Sequence, residues 1–236
     1  MLDVTGLTIS FPSADSGAVM PVDDFSFSIK EGEIAGLTGA SGCGKTTFAT
    51  ALLGILEPPG YISKGSAFFV CRSTDTIDLF SLNEKQFRLI RGREIGMIFQ
   101  DPVASLHPAR KIAAQFAEVL RSHNRELLRK ECDELAAQWL GEMRFTDPKK
   151  ILGAYPFELS GGMCQRVTVA MALALRPRLL IADEPATALD AENERQILRL
   201  IGEARDRYGT SVILISHDTA LVSSVADRVV RMDPSR

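Results

Sequence analysis

The chain has 236 residues, 45% of them hydrophobic and 24% charged, with a formal net charge of −3. These ordinary globular values exclude a disordered or fibrous chain, and the mildly acidic balance disfavours an electrostatic nucleic-acid binder. The longest apolar run, 167–175, contains a threonine and is too short to span a bilayer. The four cysteines form no CxxC pair, so we expect neither a zinc site nor a disulfide framework.

The first two predicted strands, Leu7–Phe11 and Phe25–Ile29, alternate apolar and polar residues. Period-two alternation is typical of antiparallel strands with one face in water. Three later runs are almost continuously apolar, which is typical of parallel strands buried on both faces: 34–38, 179–182 and 212–215. The pattern predicts an α/β fold with a mixed sheet, made of a parallel core and an antiparallel β annex.

Residues 101–160 are helical in character, because apolar residues recur there at spacings of three and four. We therefore expect one domain, 1–236, in which 1–100 and 161–236 form the core with its annex and 101–160 form an inserted α-helical subdomain. Just before the insertion, Ser81–Glu84 is interpreted as a capping box that begins a short helix ending near Arg91.

A glycine-rich motif of the form GxxxxGK[ST] follows the apolar run 34–38 and precedes a helix-like stretch. This is the strand–loop–helix context that a phosphate-binding P-loop requires, although a glycine-rich turn with a chance lysine is the alternative. Lys45 is predicted to reach the β- and γ-phosphates, and the Thr46 hydroxyl to bind Mg²⁺. The predicted nucleotide-binding residues of this loop are Gly39, Ser41, Gly42, Cys43, Gly44, Lys45, Thr46 and Thr47.

The apolar run 179–182 ends in Asp183 and Glu184. Phosphoryl transfer needs a carboxylate for the metal and a group that orients the attacking water. Asp183 is predicted to bind Mg²⁺, and Glu184 is predicted to orient the attacking water. A solvated acidic turn is the alternative. His217 and Gln100 also follow predicted strands, and each taken alone is compatible with a purely structural residue.

Six motifs occur in a fixed order, and together they resemble the nucleotide-binding subunits of ATP-binding cassette (ABC) transporters over essentially the whole chain. The motifs are the P-loop, Gln100, Leu159–Gly162, Asp183–Glu184, Ala188–Asp190 and His217. The resemblance implies a P-loop NTPase (RecA-like) core that binds ATP and Mg²⁺. It also implies a head-to-tail dimer, in which each ATP lies between one P-loop and the partner's LSGG edge.

The resemblance gives each matching position a role. The catalytic group consists of Glu184, the switch histidine His217 and Gln100, and the Mg²⁺ group of Thr46, Gln100 and Asp183. Phe11 lies where the family places an aromatic ring that stacks on adenine, and Asp190 lies in a loop at the dimer interface. The signature residues that face the partner's ATP are Ser160, Gly161, Gly162 and Met163.

Residues 91–95, 97–102, 105–108 and 155–163 are similar to those of peptide and nickel importer ATPases, and Met163 resembles the first of the two ATPases in these importers. That similarity implies a second ATPase subunit, two membrane permeases, an extracytoplasmic solute-binding protein and a peripheral location on the cytoplasmic face of the cell membrane. A dimer of two copies of this chain is the alternative to a pair with a second ATPase. Residues 101–115 are expected to meet the permeases' coupling helices.

Three positions depart from that subfamily: His107, Cys164 and Ala186. The sequence stops soon after the segment 229–232, whereas some relatives continue into an extension with cluster-binding cysteines, so no iron–sulfur cluster is predicted. Two alternatives remain: an ABC-type ATPase of DNA repair or translation, and an ATP-binding subunit that does not hydrolyse. One P-loop, a short insertion and an acidic balance disfavour the first, and intact Lys45, Glu184 and His217 disfavour the second.

Overall fold

The computed structural model describes residues 1–13, 17–186 and 190–233. Nine strands and eight α-helices lie in these residues. In chain order they are β1 (Leu2–Ser13), β2 (Gly17–Ile29), β3 (Ile34–Thr38), α1 (Lys45–Leu52), β4 (Tyr61–Val70), β5 (Thr76–Asp78), α2 (Glu84–Ile90), β6 (Ile95–Ile98), α3 (Ile112–Arg121), α4 (Arg129–Glu142), α5 (Pro148–Gly153), α6 (Gly161–Leu173), β7 (Leu179–Asp183), α7 (Ala191–Tyr208), β8 (Ser211–Ile215), α8 (Thr219–Ser223) and β9 (Arg228–Arg231). Short 3₁₀ turns lie at Leu79–Ser81 and Pro156–Glu158.

The strands form two sheets. A five-stranded sheet has the order β6-β7-β8-β3-β9 and is parallel throughout, and a four-stranded sheet has the order β2-β1-β4-β5 and is antiparallel. The predicted α/β fold with a parallel core and an antiparallel annex is thus confirmed. Instead of the predicted mixed sheet there are two sheets: the annex does not continue the parallel sheet, because its alternating strands pack one apolar face onto the core.

Both faces of the parallel sheet are covered, as its continuously apolar strands require. On β7, Leu180 and Ala182 belong to an apolar cluster shared with the helices α3, α4, α5, α6 and α7. The alternate residues Leu179 and Ile181 belong to a second cluster, shared with α1 and the antiparallel sheet. The P-loop helix is therefore enclosed between the two sheets, on the face opposite the helical layer.

The helical insertion packs continuously onto the core. Phe116 of α3 and Trp139 of α4 are buried in the same cluster as Leu180 of β7 and Leu214 of β8. Because this cluster has no break between insertion and sheet, the division of the domain at residues 101–160 stays a prediction. Within the described residues, no helix combines the length and the apolarity that a bilayer crossing requires.

The start of the short helix α2 differs from the prediction. Ser81 lies in a 3₁₀ turn, and the N-cap is Asn83, whose Oδ1 accepts the Gln86 N–H at 3.1 Å. In the reverse direction, the Oε1 of Gln86 accepts the Asn83 N–H at 2.9 Å. The capping box is therefore present two residues later than predicted, since the amide pair Asn83–Gln86 satisfies both backbone donors.

Candidate active site

The register of the parallel sheet decides where the site lies. Asp183 of β7 is paired with Ile215 of β8, and Ile215 is paired in turn with Leu37 of β3. The segments that follow these strands therefore leave the sheet at one edge: the P-loop after β3, Glu184 after β7 and His217 after β8. This is the carboxyl edge, where open α/β sheets bind their ligands.

The P-loop packs so closely that two of its positions accept only glycine. A Cβ at Gly39 (φ 157°) would lie 2.3 Å from the carbonyl oxygen of Met232. A Cβ at Gly44 (φ 98°) would lie 2.3 Å from the carbonyl oxygen of Pro21. Two backbone segments that are remote in the chain thus pack against the loop, and this packing fixes the direction of its N–H groups.

The N-terminus of α1 is open to an anion. Gly44 occupies its N-cap and offers no side-chain hydrogen bond to the first turn. By contrast, α6, α7 and α8 are each capped by a side chain, from Ser160, Asp190 and Asp218 respectively. The uncapped amides at the start of α1 carry partial positive charge, and they suit a phosphate group.

Lys45 is held at the mouth of this loop. Only 7% of the residue is exposed, and its Nζ donates to the carbonyl oxygens of Gly39 and Ala40, each at 2.9 Å. The Cys43 side chain is buried and its Sγ lies 3.8 Å from the same Nζ. Cys43 therefore turns its thiol into the protein, and neither Cys43 nor the predicted Gly39 is among the residues that line the cavity between the P-loop, Gln100, Asp183, Glu184 and His217.

Asp183 is the residue best suited to a metal ion. It is 1% exposed, and within the described residues its buried Oδ1 has no hydrogen-bond partner. Burial raises the pKa of its carboxyl group, while the Thr46 hydroxyl and the Lys45 charge act in the opposite direction. With Thr46 and Gln100 it forms an all-oxygen donor set at one cavity, which fits Mg²⁺.

Glu184 and His217 form a hydrogen-bonded pair. Nδ1 of His217 lies 2.8 Å from both carboxylate oxygens of Glu184, and the His217 backbone N–H donates to Oε1 at 3.2 Å. Since a carboxylate only accepts, the proton between the two side chains belongs to Nδ1. Glu184 has a φ of 49°, and its N–H donates to the carbonyl oxygen of Ile215. A non-glycine residue in this conformation is frequent at functional sites.

A cavity of about 370 Å³ joins these groups. All the residues that line it were predicted from the sequence: Ser41, Gly42, Gly44, Lys45, Thr46, Thr47, Gln100, Asp183, Glu184 and His217. The structure therefore assembles the P-loop, the acidic pair, the strand-end glutamine and the strand-end histidine around one space.

Three predicted groups lie elsewhere. The Phe11 ring packs toward Gly60, where a Cβ would lie 2.5 Å from its Cζ. Ser160 caps α6 by accepting the Met163 N–H at 3.3 Å, and none of the signature residues Ser160–Met163 lines the cavity. Asp190 caps α7 through the N–H groups of Glu192 and Asn193, and these bonds lower its pKa. Ala188 and Leu189 lie outside the described residues.

Sequence reasoning missed the backbone supports of the P-loop, Pro21 and Met232. Their carbonyl groups come from β2 and from the segment after β9, and no side-chain pattern marks them. Such contacts exist only once the strands are assembled, so no sequence signal was available for them.

A family model described as ABC transporter matches residues 22–187. The oligopeptide transport ATP-binding protein OppD of Bacillus subtilis (strain 168) is 41% identical over 233 residues, which cover 98% of this chain and 63% of that protein. OppD of Escherichia coli (strain K12) is 40% identical over 236 residues, covering 100% and 68%. The probable D,D-dipeptide transport ATP-binding protein DdpD of the same strain is 40% identical over 233 residues, covering 98% and 69%. The chain thus spans roughly two thirds of the length of these relatives.

Solved structures share the fold. A dimeric structure of the ATP-binding cassette MJ0796 in a post-hydrolysis state, bound to ADP and Pi, has a TM-score of 0.85 at 23% identity and covers 100% of this chain and 97% of that one. A second dimeric structure of MJ0796, described as a bacterial ABC transporter cassette, has a TM-score of 0.85 at 24% identity, covering 99% and 94%. Because the family model covers well over half of the chain and relatives about 40% identical cover nearly all of it, the chain belongs to the ABC transporter family.

Proposed function

We propose that this chain is the ATP-hydrolysing subunit of an importer for peptides, or for nickel or a related small solute. The observation that carries the proposal is the single cavity in which Lys45, Asp183, Glu184, His217 and Gln100 come together. A phosphate cradle, an oxygen donor set and a carboxylate–imidazole pair are the parts that hydrolysis of a bound nucleotide needs.

The chain's own residues divide the work of hydrolysis. The first amides of α1 and the Lys45 ammonium bind the phosphates, while Thr46, Asp183 and Gln100 hold the metal. Mg²⁺, when bound, neutralises charge on the phosphate oxygens. Glu184 orients the attacking water and accepts its proton, and its carboxylate is positioned by the two N–H bonds from His217.

The signature residues support a dimer in which each site is shared. The Ser160 side chain caps α6 through the Met163 N–H alone, and Ser160 and Gly161 are exposed, so the α6 N-terminus still offers phosphate a second edge, outside the lining of the P-loop cavity. A head-to-tail arrangement places this edge on the nucleotide of a neighbouring subunit. We propose a different second ATPase as that neighbour, and a second copy of this chain as the alternative.

An apolar groove supports docking to membrane permeases. It has a volume of about 410 Å³ and lies between α1, β6 and the helical insertion, where Leu53, Met97, Leu106 and Leu175 line it. Phe99, which is 45% exposed, lies in the groove directly before Gln100. A permease helix seated there contacts the segment that leads into the active site, at the cytoplasmic face of the membrane.

The printed names of the relatives support a peptide cargo, since they describe oligopeptide and D,D-dipeptide transport. The ATPase itself does not touch the cargo in this arrangement. The permeases and an extracytoplasmic solute-binding protein select it.

Co-expression of the chain with the permeases and the second ATPase that it is proposed to assemble with tests the proposal. We expect a complex that hydrolyses MgATP and is stimulated by the loaded binding protein, with Glu184→Gln as the inactive control. Co-purification with nucleic acid instead of membrane subunits would favour an ABC-type ATPase of DNA repair or translation. Assembly without hydrolysis would favour a subunit that only binds ATP.

A further inference from the structure

The turn Arg91–Gly92 lies where two functionally important helices end. The helix α1 begins at the P-loop, and α6 begins at the signature residue Ser160. Their opposite ends, at Leu53–Gly54 and Leu175, both contact this turn. The two phosphate-binding edges of the chain are thus connected at a point remote from either edge.

Arg91 is bound to the end of α1 by two hydrogen bonds. Its Nε donates to the carbonyl oxygen of Leu53 at 2.8 Å, and its Nη2 donates to that of Gly54 at 3.0 Å. The last turn of α1 contains no basic residue of its own. Arg91 therefore supplies the positive charge that a helix C-terminus favours.

The same guanidinium is fastened to α2. Nη1 and Nη2 of Arg91 donate to the two carboxylate oxygens of Glu84 at 2.9 and 3.0 Å, and the guanidinium lies 5.0 Å from the centre of the Phe87 ring. Phe87 packs so closely on Gly54 (φ 60°) that a Cβ there would lie 2.3 Å from the ring. The end of α1 is consequently locked between Arg91 and Phe87.

The backbone of the turn contacts the helical layer. His123, which follows α3, has its Nε2 at 2.8 Å from the Arg91 carbonyl oxygen and is the donor of this bond. Gly92 (φ 81°) faces Leu175, and a Cβ there would lie 2.9 Å from Leu175 Cδ1. The turn therefore touches the P-loop helix on one side, and the signature helix and the insertion on the other.

We propose that Arg91 is a positioning residue for ATP hydrolysis, which sets the P-loop relative to the signature edge by holding the far ends of α1 and α6 together with Gly92. The inference rests on the proposed function. Arg91 and Gly92 also line the apolar groove. A permease segment in that groove contacts the Arg91–Gly92 turn and can displace α1 and α6 together, because packed elements move as rigid bodies.

The test compares Arg91→Lys with Arg88→Lys in the assembled transporter. Lysine keeps the charge but lacks the planar fork that reaches two carbonyl groups and a carboxylate at once. Arg88 is the matched control, since it pairs with the same Glu84 at 3.4 Å from a side chain that is 75% exposed. We expect Arg91→Lys to lower kcat about 2- to 30-fold with the KM for ATP within about twofold, and Arg88→Lys to change neither.

Hydrogen exchange on the isolated full-length chain gives a second readout. In the wild type and in Arg88→Lys, MgATP is expected to slow exchange at residues 44–47 and also at 91–92 and 120–124. In Arg91→Lys the protection at 44–47 persists and the remote protection is lost. If the role of Arg91 is purely structural, Arg91→Lys lowers the thermal midpoint and changes the protection at 44–47 and at the remote residues to the same extent.

Wild-type kcat in Arg91→Lys, together with remote protection equal to that of Arg88→Lys, overturns the inference. A wild-type complex that does not hydrolyse ATP refutes the proposed function, and the exchange comparison then decides the role of Arg91 alone. If Arg91→Lys does not fold, His123→Ala replaces it, because that change removes the donor that links the Arg91 carbonyl oxygen to the helical layer and leaves the bonds of Arg91 to Leu53 and Gly54. Loss of remote protection at 120–124 in His123→Ala supports the inference, and its retention overturns it.

Discussion

Replacing Glu184 by glutamine is expected to separate nucleotide binding from hydrolysis. The substitution keeps the size of the side chain and an oxygen that accepts the His217 backbone N–H, which lies 3.2 Å from Oε1. It removes the negative charge that pairs with Nδ1 and that is proposed to accept the proton of the attacking water. Lys45, Thr46 and Asp183, which line the same cavity, are left unchanged.

The expected magnitudes differ for the two steps. Loss of a general base costs about 10²- to 10⁴-fold in rate, which corresponds to about 2.7 to 5.4 kcal/mol of activation free energy. The His217 side chain is 64% exposed, so the lost pair changes the free energy of unfolding by less than about 1 kcal/mol. We therefore expect a large fall in kcat, a dissociation constant for ATP within about threefold of wild type and a nearly unchanged thermal midpoint.

Three measurements on one preparation check this expectation: phosphate release under single-turnover conditions, ATP binding by calorimetry, and thermal unfolding. Size-exclusion chromatography with MgATP adds a fourth, since a dimer that cannot hydrolyse its nucleotide is expected to accumulate. Glu134→Gln is the matched control, since Glu134 is an exposed acidic residue of α4 that lines neither the P-loop cavity nor the cavity beside Glu184 and His217. Wild-type turnover in Glu184→Gln would refute the assignment of the general base.

Further predictions concern the P-loop, the sheet and the groove. Lys45→Ala removes the charged donor that is proposed to bind the phosphates, and we expect the dissociation constant for ATP, measured by calorimetry, to rise about 10- to 150-fold. Gly36→Ala would place a Cβ 2.1 Å from Val222 Cγ1. We expect a loss of about 1–3 kcal/mol in urea unfolding, with partial recovery in Gly36→Ala/Val222→Ala. Phe99→Ser is expected to reduce co-purification with the permeases while changing stability by less than about 0.5 kcal/mol, because the side chain is half exposed.

Each of these expectations has a contrary outcome. Unchanged ATP affinity in Lys45→Ala would remove the lysine from the phosphate site. A Gly36→Ala protein as stable as the wild type would show that α8 shifts freely against β3. Full retention of the permeases by Phe99→Ser would place the docking surface outside the groove.

The local features of the site were predictable because each depends on a short stretch of chain. The spacing from Gly39 to Thr46, after the apolar strand β3, predicts the P-loop, and Asp183–Glu184 at the end of β7 predicts the acidic pair. The antiparallel annex followed from alternation in β1 and β2. By contrast, the capping box of α2 was placed two residues early, because serine, asparagine and aspartate are nearly equivalent as N-caps in a sequence.

The sequence by itself determined which side chains end each strand, since hydrophobic patterning and motif spacing are local. Only the tertiary structure decided that Gln100, Asp183, Glu184 and His217 line the same cavity, because strand register and order set which ends are neighbours. It also decided that the annex is a separate sheet and that Arg91 joins the ends of α1 and α6. These facts depend on contacts between segments far apart in the chain, and no local pattern encodes them.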